Sequence, residues 1–99
     1  MSSPVRFFSL VASEGSIFRV SGEIGTVVAR LVVLPDPDAG YLAVWPAYGV
    51  VLRTHYLGRE NGGPVHQDIE VLGGEDNFRA HEALIRGLLG GFWLHRMSS

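Results

Sequence analysis

The chain has 99 residues, 46% of them apolar, and its ten acidic residues and eight arginines give a formal net charge of −2. This length and composition predict a single domain, residues 1–99, with one core. The balanced charge argues against direct nucleic-acid binding, which needs a basic stripe. The absence of cysteine excludes disulfides and thiolate metal sites.

Targeting and cofactor signals are missing from the sequence. Met1 is not followed by a basic segment and a small-residue cleavage site, and no apolar run reaches the roughly 18 residues of a membrane span. The glycine-rich segments lack the spacing of a phosphate-binding loop. We therefore expect a cytoplasmic protein with no cofactor and no membrane contact.

The first half of the chain predicts four strands, because β-branched and aliphatic residues alternate with glycine- and proline-rich breaks. A break or a bulge is expected at Gly22–Gly25. The third strand is apolar on both faces apart from Arg30, which is typical of a central strand covered on most of both faces. The predicted strands are Val5–Ala12, Ile17–Ser21, Thr26–Leu34 and Tyr41–Trp45.

The segment Val50–Leu72 predicts a β-hairpin around Asn61-Gly62, the dipeptide most typical of a two-residue turn. In this register Arg53 lies opposite Glu70, His55 opposite Asp68 and Leu57 opposite His66. Alternation along both strands then gives one polar face and one largely apolar face, and a slip of one residue would destroy both patterns.

After these strands, apolar residues recur at helical spacing from Phe78, which predicts an amphipathic helix packed on the sheet. Glycine costs roughly 1 kcal/mol in a helix interior, so we expect the regular helix to end near Gly90 or Gly91. The segment Phe92–Met97 either continues the helix after a kink or forms a short strand, and the pattern leaves both open.

These elements predict an α+β fold: a roughly six-stranded antiparallel meander, as a twisted sheet or a partial barrel, with one C-terminal helix packed on it. The edge strands would be the amino-terminal hairpin and Val65–Leu72. We expect self-association into a homodimer through such an edge or through Phe92–Leu94.

The polar face of the hairpin offers the first candidate site. Two imidazoles and two carboxylates could bind a transition metal or perform acid–base chemistry. Cross-strand ion pairs on a solvated face explain the same residues. We therefore predict no metal ligand there and retain the face as a candidate polar binding surface. Its members are Arg53, His55, His66, Asp68 and Glu70.

Aromatic residues offer the second candidate site. Tyr41, Trp45 and Tyr48 border two proline-containing turns, and Trp93 lies near the other end of the chain. Tyrosine, tryptophan and arginine commonly anchor interfaces, although the same rings could fill the core. His81 either lines a pocket between helix and sheet or hydrogen-bonds a backbone carbonyl.

No catalytic signature is present, so we identify no catalytic residue and expect no enzyme. The favoured hypothesis is a small non-catalytic protein-binding module, an inhibitor or accessory protein acting on a larger macromolecular complex, such as a phage or plasmid anti-defence protein. The alternatives are a small-molecule-binding protein or minor enzyme with a pocket between sheet and helix, and a metal site on the His55, His66, Asp68 and Glu70 face.

Overall fold

A computed structural model of the chain describes residues 7–14, 17–36 and 40–97, the first of these ranges as backbone only. The structure is α+β, with one open antiparallel sheet and a C-terminal helix, which confirms the predicted fold class. The strands are Phe7–Glu14 (β1), Ile17–Ile24 (β2), Val27–Pro35 (β3), Tyr41–Trp45 (β4), Val50–Arg59 (β5) and Val65–Gly73 (β6). A 3₁₀ turn covers Pro46–Tyr48, and the helices are Glu75–Ala80 (α1) and Glu82–Met97 (α2).

The order of strands in the sheet is the order of the chain, from β1 at one edge to β6 at the other. The break or bulge predicted at Gly22–Gly25 is found only at its last residue, since β2 continues to Ile24. Gly22 is buried and lies between Phe8 on β1 and Ala29 on β3. The chain reverses instead at Gly25, whose φ of 61° suits a tight turn.

The β5–β6 hairpin keeps the predicted register over most of its length. Arg53 pairs with Glu70 and His55 with Asp68, as predicted. Nearer the turn the prediction is wrong, because Leu57 bulges out and Gly58 takes its place opposite His66. Gly58 has a φ of 126°, a conformation that only glycine adopts without strain.

The core lies between the inner face of the sheet and α2. Alternate residues of β2 to β5 point inwards, and one face of α2 covers them. Phe92 contacts Phe18 edge-on with ring centroids 5.2 Å apart, and Tyr41 at 4.9 Å. The buried apolar residues are Phe18, Val20, Ala29, Leu31, Val33, Ala43, Trp45, Val50, Leu52, Phe78, Leu84, Ile85, Leu88, Leu89, Phe92 and Trp93.

The helix does not end where the sequence predicted. It runs unbroken past Gly90 and Gly91 to Met97, so Phe92–Met97 is helical. Fully burying one large apolar side chain stabilises a fold by about 1.5–3 kcal/mol, which exceeds the cost of roughly 1 kcal/mol for a helical glycine. Phe92 and Trp93, both buried, therefore hold the helix together beyond the glycines.

Candidate interaction surface

The two faces of the sheet differ in their cover. Both helices pack on the inner face, and within the described ranges no element lies over the outer face. The outer face is nevertheless apolar across its centre. Its outward-pointing apolar residues are Val28, Val32, Leu34, Leu42, Val44 and Val51, which we call the outer apolar face.

Strand register makes these side chains contiguous. Val32, Val44 and Val51 lie side by side on three neighbouring strands, and Leu34 lies beside Leu42. Their neighbours leave most of them half-buried, whereas Val28 is 44% exposed. A contiguous exposed apolar patch on a small protein marks an interaction site more often than isolated apolar residues do.

A depression of about 670 Å³ lies at one end of this face. It forms because β4 is shorter than β3 and pairs with it only from Val32 to Pro35. Among the described residues, the part of β3 before Val32 therefore pairs with no strand on that side. The residues lining the depression include Arg19, Ser21, Val28, Arg30, Val32, Trp45, Pro46 and Ala47.

Charges flank the outer apolar face on opposite sides. Arg19 on β2 lies on one side, and Asp68 and Glu70 on β6 lie on the other. Arg30 lies within the face, between Val28 and Val32 on β3. Arg30 is exposed and forms no ion pair with any carboxylate of the described residues. Glu23 on β2 lies beside Val28, and Arg53 on β5 lies beside Leu42, so charges of both signs border the face on each side.

The predicted polar surface is built around Arg53. Its Nε donates to Asp36 Oδ2 at 2.5 Å and its Nη1 donates to Glu70 Oε1 at 2.9 Å. These hydrogen bonds, the one to Asp36 first, raise the pKa of Arg53 above its usual value. Asp36 is buried, so Arg53 fastens the start of the β3–β4 loop to β5 and β6.

The histidines of this surface do not meet the carboxylates in a metal-binding arrangement. His66 Nε2 lies 3.5 Å from Glu60 Oε1, and His55 packs beside Gly40, where a Cβ would come within 2.7 Å of the ring. Within the part of the chain that the structure describes, no group of three His, Asp or Glu side chains is placed to hold a metal ion. The face shows an ion pair between Arg53 and Glu70 and places His66 beside Glu60.

The four predicted aromatic residues are divided between core and surface. Trp45 and Trp93 are only 2% and 3% exposed, so their rings belong to the core and we leave them out of the interaction surface. Tyr41 is half-buried, and its hydroxyl accepts a hydrogen bond from Arg96 Nε at 3.1 Å. Tyr48 is exposed, and its ring lies tilted against that of Trp45 with ring centroids 4.3 Å apart.

His81 follows the second of its two predicted roles. Its Nδ1 lies 3.0 Å from the carbonyl oxygen of Asn77, and its ring packs against Trp45 and Tyr48. The interior between sheet and helix is filled by the core side chains. A second depression, of about 550 Å³, opens at the rim between β6 and α2, and His81 does not line it.

Sequence reasoning missed the outer apolar face, although its signal was present. Residues on both faces of the third predicted strand are apolar, and we interpreted that pattern as cover on most of both sides. The described residues supply cover on the inner side alone.

Neither helix of the described residues has the length and apolar character needed to cross a bilayer. Comparisons with protein-family models, curated proteins and solved structures found no match. Function is therefore inferred from the geometry of the described residues.

Proposed function

We propose that the chain is a small non-catalytic protein-binding module that docks on another protein surface through its outer apolar face. The observation that carries this proposal is the contiguous row of Val32, Val44 and Val51 with no described element over it. Covering such a row removes apolar surface from water at about 25 cal/mol per Å². A protein surface is the partner that can supply an extended, complementary cover.

The shape of the site favours a protein over a small ligand. Small-molecule sites are concave and bury 70–90% or more of the ligand surface, by general experience. The outer apolar face is an open strand surface with a depression at one end. The charge of −2 and the dispersed arginines do not form the basic stripe that nucleic acid requires.

Within this class we further propose a cytoplasmic accessory or inhibitory protein that occupies a surface of a larger macromolecular complex, as anti-defence proteins of phages and plasmids do. Its small size and its apolar face support this role.

We also propose that the sheet curls towards a partial barrel, because α2 contacts the strands at both edges of the sheet, β1 and β6.

The test is a comparison of Val28→Glu with the parent chain, each tagged and recovered from the host for native mass spectrometry. Val28 is 44% exposed, so a carboxylate there is solvated in the free chain. We expect the parent chain to carry a stoichiometric protein partner, and Val28→Glu to lose at least about tenfold in its recovery, since an interface core rejects an unpaired charge.

The matched control is Ala83→Glu, which adds the same charge at an exposed position of α2 on the other side of the sheet. Its complex should be recovered at the level of the parent chain. Circular dichroism of both variants checks that the fold is retained. A partner that survives Val28→Glu, or a parent chain that carries no protein, would contradict the proposal.

A further inference from the structure

We propose that Asn61 is a modification site, where the side-chain amide is lost by reaction with the backbone nitrogen of Gly62. The reaction is spontaneous deamidation, which needs only base and water and replaces a neutral amide by a carboxylate. The turn of the β5–β6 hairpin, residues 60–63, supplies what this reaction requires. The other asparagine of the chain, Asn77, has the same reacting groups held in hydrogen bonds.

The chemistry is an intramolecular attack that closes a succinimide ring. Base removes the proton from the backbone nitrogen of Gly62, and this nitrogen forms a bond to Cγ of Asn61. The bond from Cγ to Nδ2 breaks, and Nδ2 leaves as ammonia. One water molecule then opens the ring. Opening at Cγ gives aspartate, whereas opening at the main-chain carbonyl carbon gives isoaspartate, in which the backbone runs through the side chain.

The attacking nitrogen is accessible in the folded chain. Gly62 is exposed, and its backbone N–H donates no hydrogen bond within the residues that the structure describes. The turn is closed by the next residue instead, since the N–H of Gly63 donates to the carbonyl oxygen of Glu60 at 2.8 Å. Solvent base can therefore reach the nitrogen of Gly62 without breaking a hydrogen bond.

The approach of the two reacting groups is unhindered. Gly62 has no side chain to shield its nitrogen, and a Cβ built on it would meet nothing within 4 Å, so the space around it is open. The side chain of Asn61 is exposed and forms no hydrogen bond with another described residue. Rotation of this side chain can therefore bring Cγ to the nitrogen of Gly62.

Asn77 shows the opposite arrangement. It lies in α1, and its Nδ2 donates to the carbonyl oxygen of Tyr48 at 3.0 Å. The residue that follows is Phe78, which is buried and whose N–H donates to the carbonyl oxygen of Gly74 at 2.9 Å. Attack on Asn77 would need both hydrogen bonds to break and a buried ring to move. The fold therefore directs the reaction to Asn61.

Both products change the tip of the hairpin. Each adds one negative charge, directly after Glu60, to a chain whose formal charge is −2. Isoaspartate also inserts a methylene group into the main chain at the turn. We expect it to loosen the pairing of Arg59 with Val65, next to the turn, whereas the pair of Arg53 and Glu70 lies further along the hairpin and should persist.

Incubation of the folded chain in neutral buffer, followed by mass spectrometry, tests the inference. We expect the parent chain to become about 1 Da heavier, since an amide is replaced by a carboxyl group. The rate should lie within about fivefold of the rate in guanidinium chloride, because no local unfolding is required. Cleavage at arginine leaves both asparagines in one peptide, residues 60–79, so its fragment ions must assign the change to Asn61.

Two glutamine variants provide the comparison. Asn61→Gln should gain no mass over the same period, because the longer side chain would have to close a larger and less favourable ring. Asn77→Gln is the matched control and should react at the rate of the parent chain. Circular dichroism of both variants checks that the fold is retained.

Isoaspartate can be detected directly by an isoaspartate methyltransferase with labelled S-adenosylmethionine. The incubated parent chain should accept the labelled methyl group, whereas fresh parent chain and incubated Asn61→Gln should not. The rate of mass gain should also rise by up to about tenfold per pH unit, because base generates the attacking nitrogen.

A folded parent chain that stays unmodified while the chain in guanidinium chloride reacts would overturn the inference, since the turn would then protect Asn61. A mass gain that persists in Asn61→Gln, or that maps to Asn77, would overturn it as well.

Discussion

Thr54 keeps a hydroxyl group inside the core, where it accepts one hydrogen bond and donates another. Its side chain is fully buried, and its Oγ1 accepts a hydrogen bond from Trp93 Nε1 at 3.1 Å. The same hydroxyl donates to Gln67 Oε1 at 3.2 Å, and Gln67 Nε2 donates to the carbonyl oxygen of Arg86 at 3.2 Å. A single hydroxyl thus joins β5 to β6 and to α2.

Thr54→Val tests this junction, since valine has the same shape without the hydroxyl. The indole N–H of Trp93 and the amide oxygen of Gln67 would each lose a partner in a buried setting. We expect the free energy of unfolding to fall by about 1–3 kcal/mol, measured by urea denaturation.

The control for this substitution is Thr26→Val, the same change at an exposed turn residue. We expect an effect within about 0.5 kcal/mol of zero there. Equal effects at the two positions would mean that the buried hydrogen bonds contribute nothing to stability.

At the scale of elements, packing in α2 outweighs the low helix propensity of its glycines. Three glycines within five residues predict a helix end, yet the helix continues through them because its buried face continues on both sides. Gly90 lies in this stretch, and a Cβ built on it would meet only Gln67 Nε2, at 3.8 Å. That distance is ordinary van der Waals contact, so the position has room for a side chain.

Gly90→Ala should therefore stabilise the protein. Alanine restricts the unfolded chain and favours the helix, and we expect a gain of about 0.5–1 kcal/mol in the free energy of unfolding. The measurement is the midpoint of thermal or urea denaturation.

The reverse substitution, alanine to glycine, measures the cost of a glycine in this helix. Ala83→Gly, at an exposed position of the same helix, should lose a similar amount. If Gly90→Ala destabilised the chain instead, the helix would have to approach β6 more closely than the 3.8 Å contact indicates.

The β5–β6 hairpin shows how far the sequence alone reaches. Asn61-Gly62 fixes the turn, and opposite charges at Arg53 with Glu70 fix the register, so both could be predicted. The bulge at Leu57 could not, because it depends on a backbone conformation at Gly58 that several neighbouring residues select together. Local signals determine pairing, whereas irregularities depend on the assembled sheet.

The candidate site could not be placed from the sequence. Composition identified the residues suited to interfaces, but the burial of Trp45 and Trp93 follows from where α2 packs, which no local pattern specifies. The apolar pattern of β3 indicated cover on both faces. The pattern within one strand does not say whether that cover comes from the same chain or from another.

At the scale of the whole molecule, Phe92 connects the sheet to the helix. It is fully buried and its ring contacts those of Phe18 and Tyr41, which lie on β2 and β4. One side chain from α2 thereby fixes the position of the helix across several strands. The inner face of the sheet depends on this contact for its cover.

Phe92→Ala removes that connection and leaves a cavity beneath the sheet. We expect a loss of about 3–5 kcal/mol in the free energy of unfolding, a large share of the 5–15 kcal/mol typical of a domain. Chemical denaturation followed by tryptophan fluorescence measures it.

Met97→Ala is the matched control, because Met97 is on the same helix and half exposed. We expect it to change stability by no more than about 0.5 kcal/mol. A small effect at both positions would mean that α2 is not held by its carboxy-terminal turns.

The agreement between strand order and chain order has a consequence for synthesis on the ribosome. Each strand can pair with its predecessor as it emerges, so the sheet assembles through short-range contacts, which form quickly. Its inner cover, however, is encoded after all six strands. A nascent sheet would present its apolar inner face until the last turns of α2 leave the exit tunnel, and chaperone capture during that interval would protect it from aggregation.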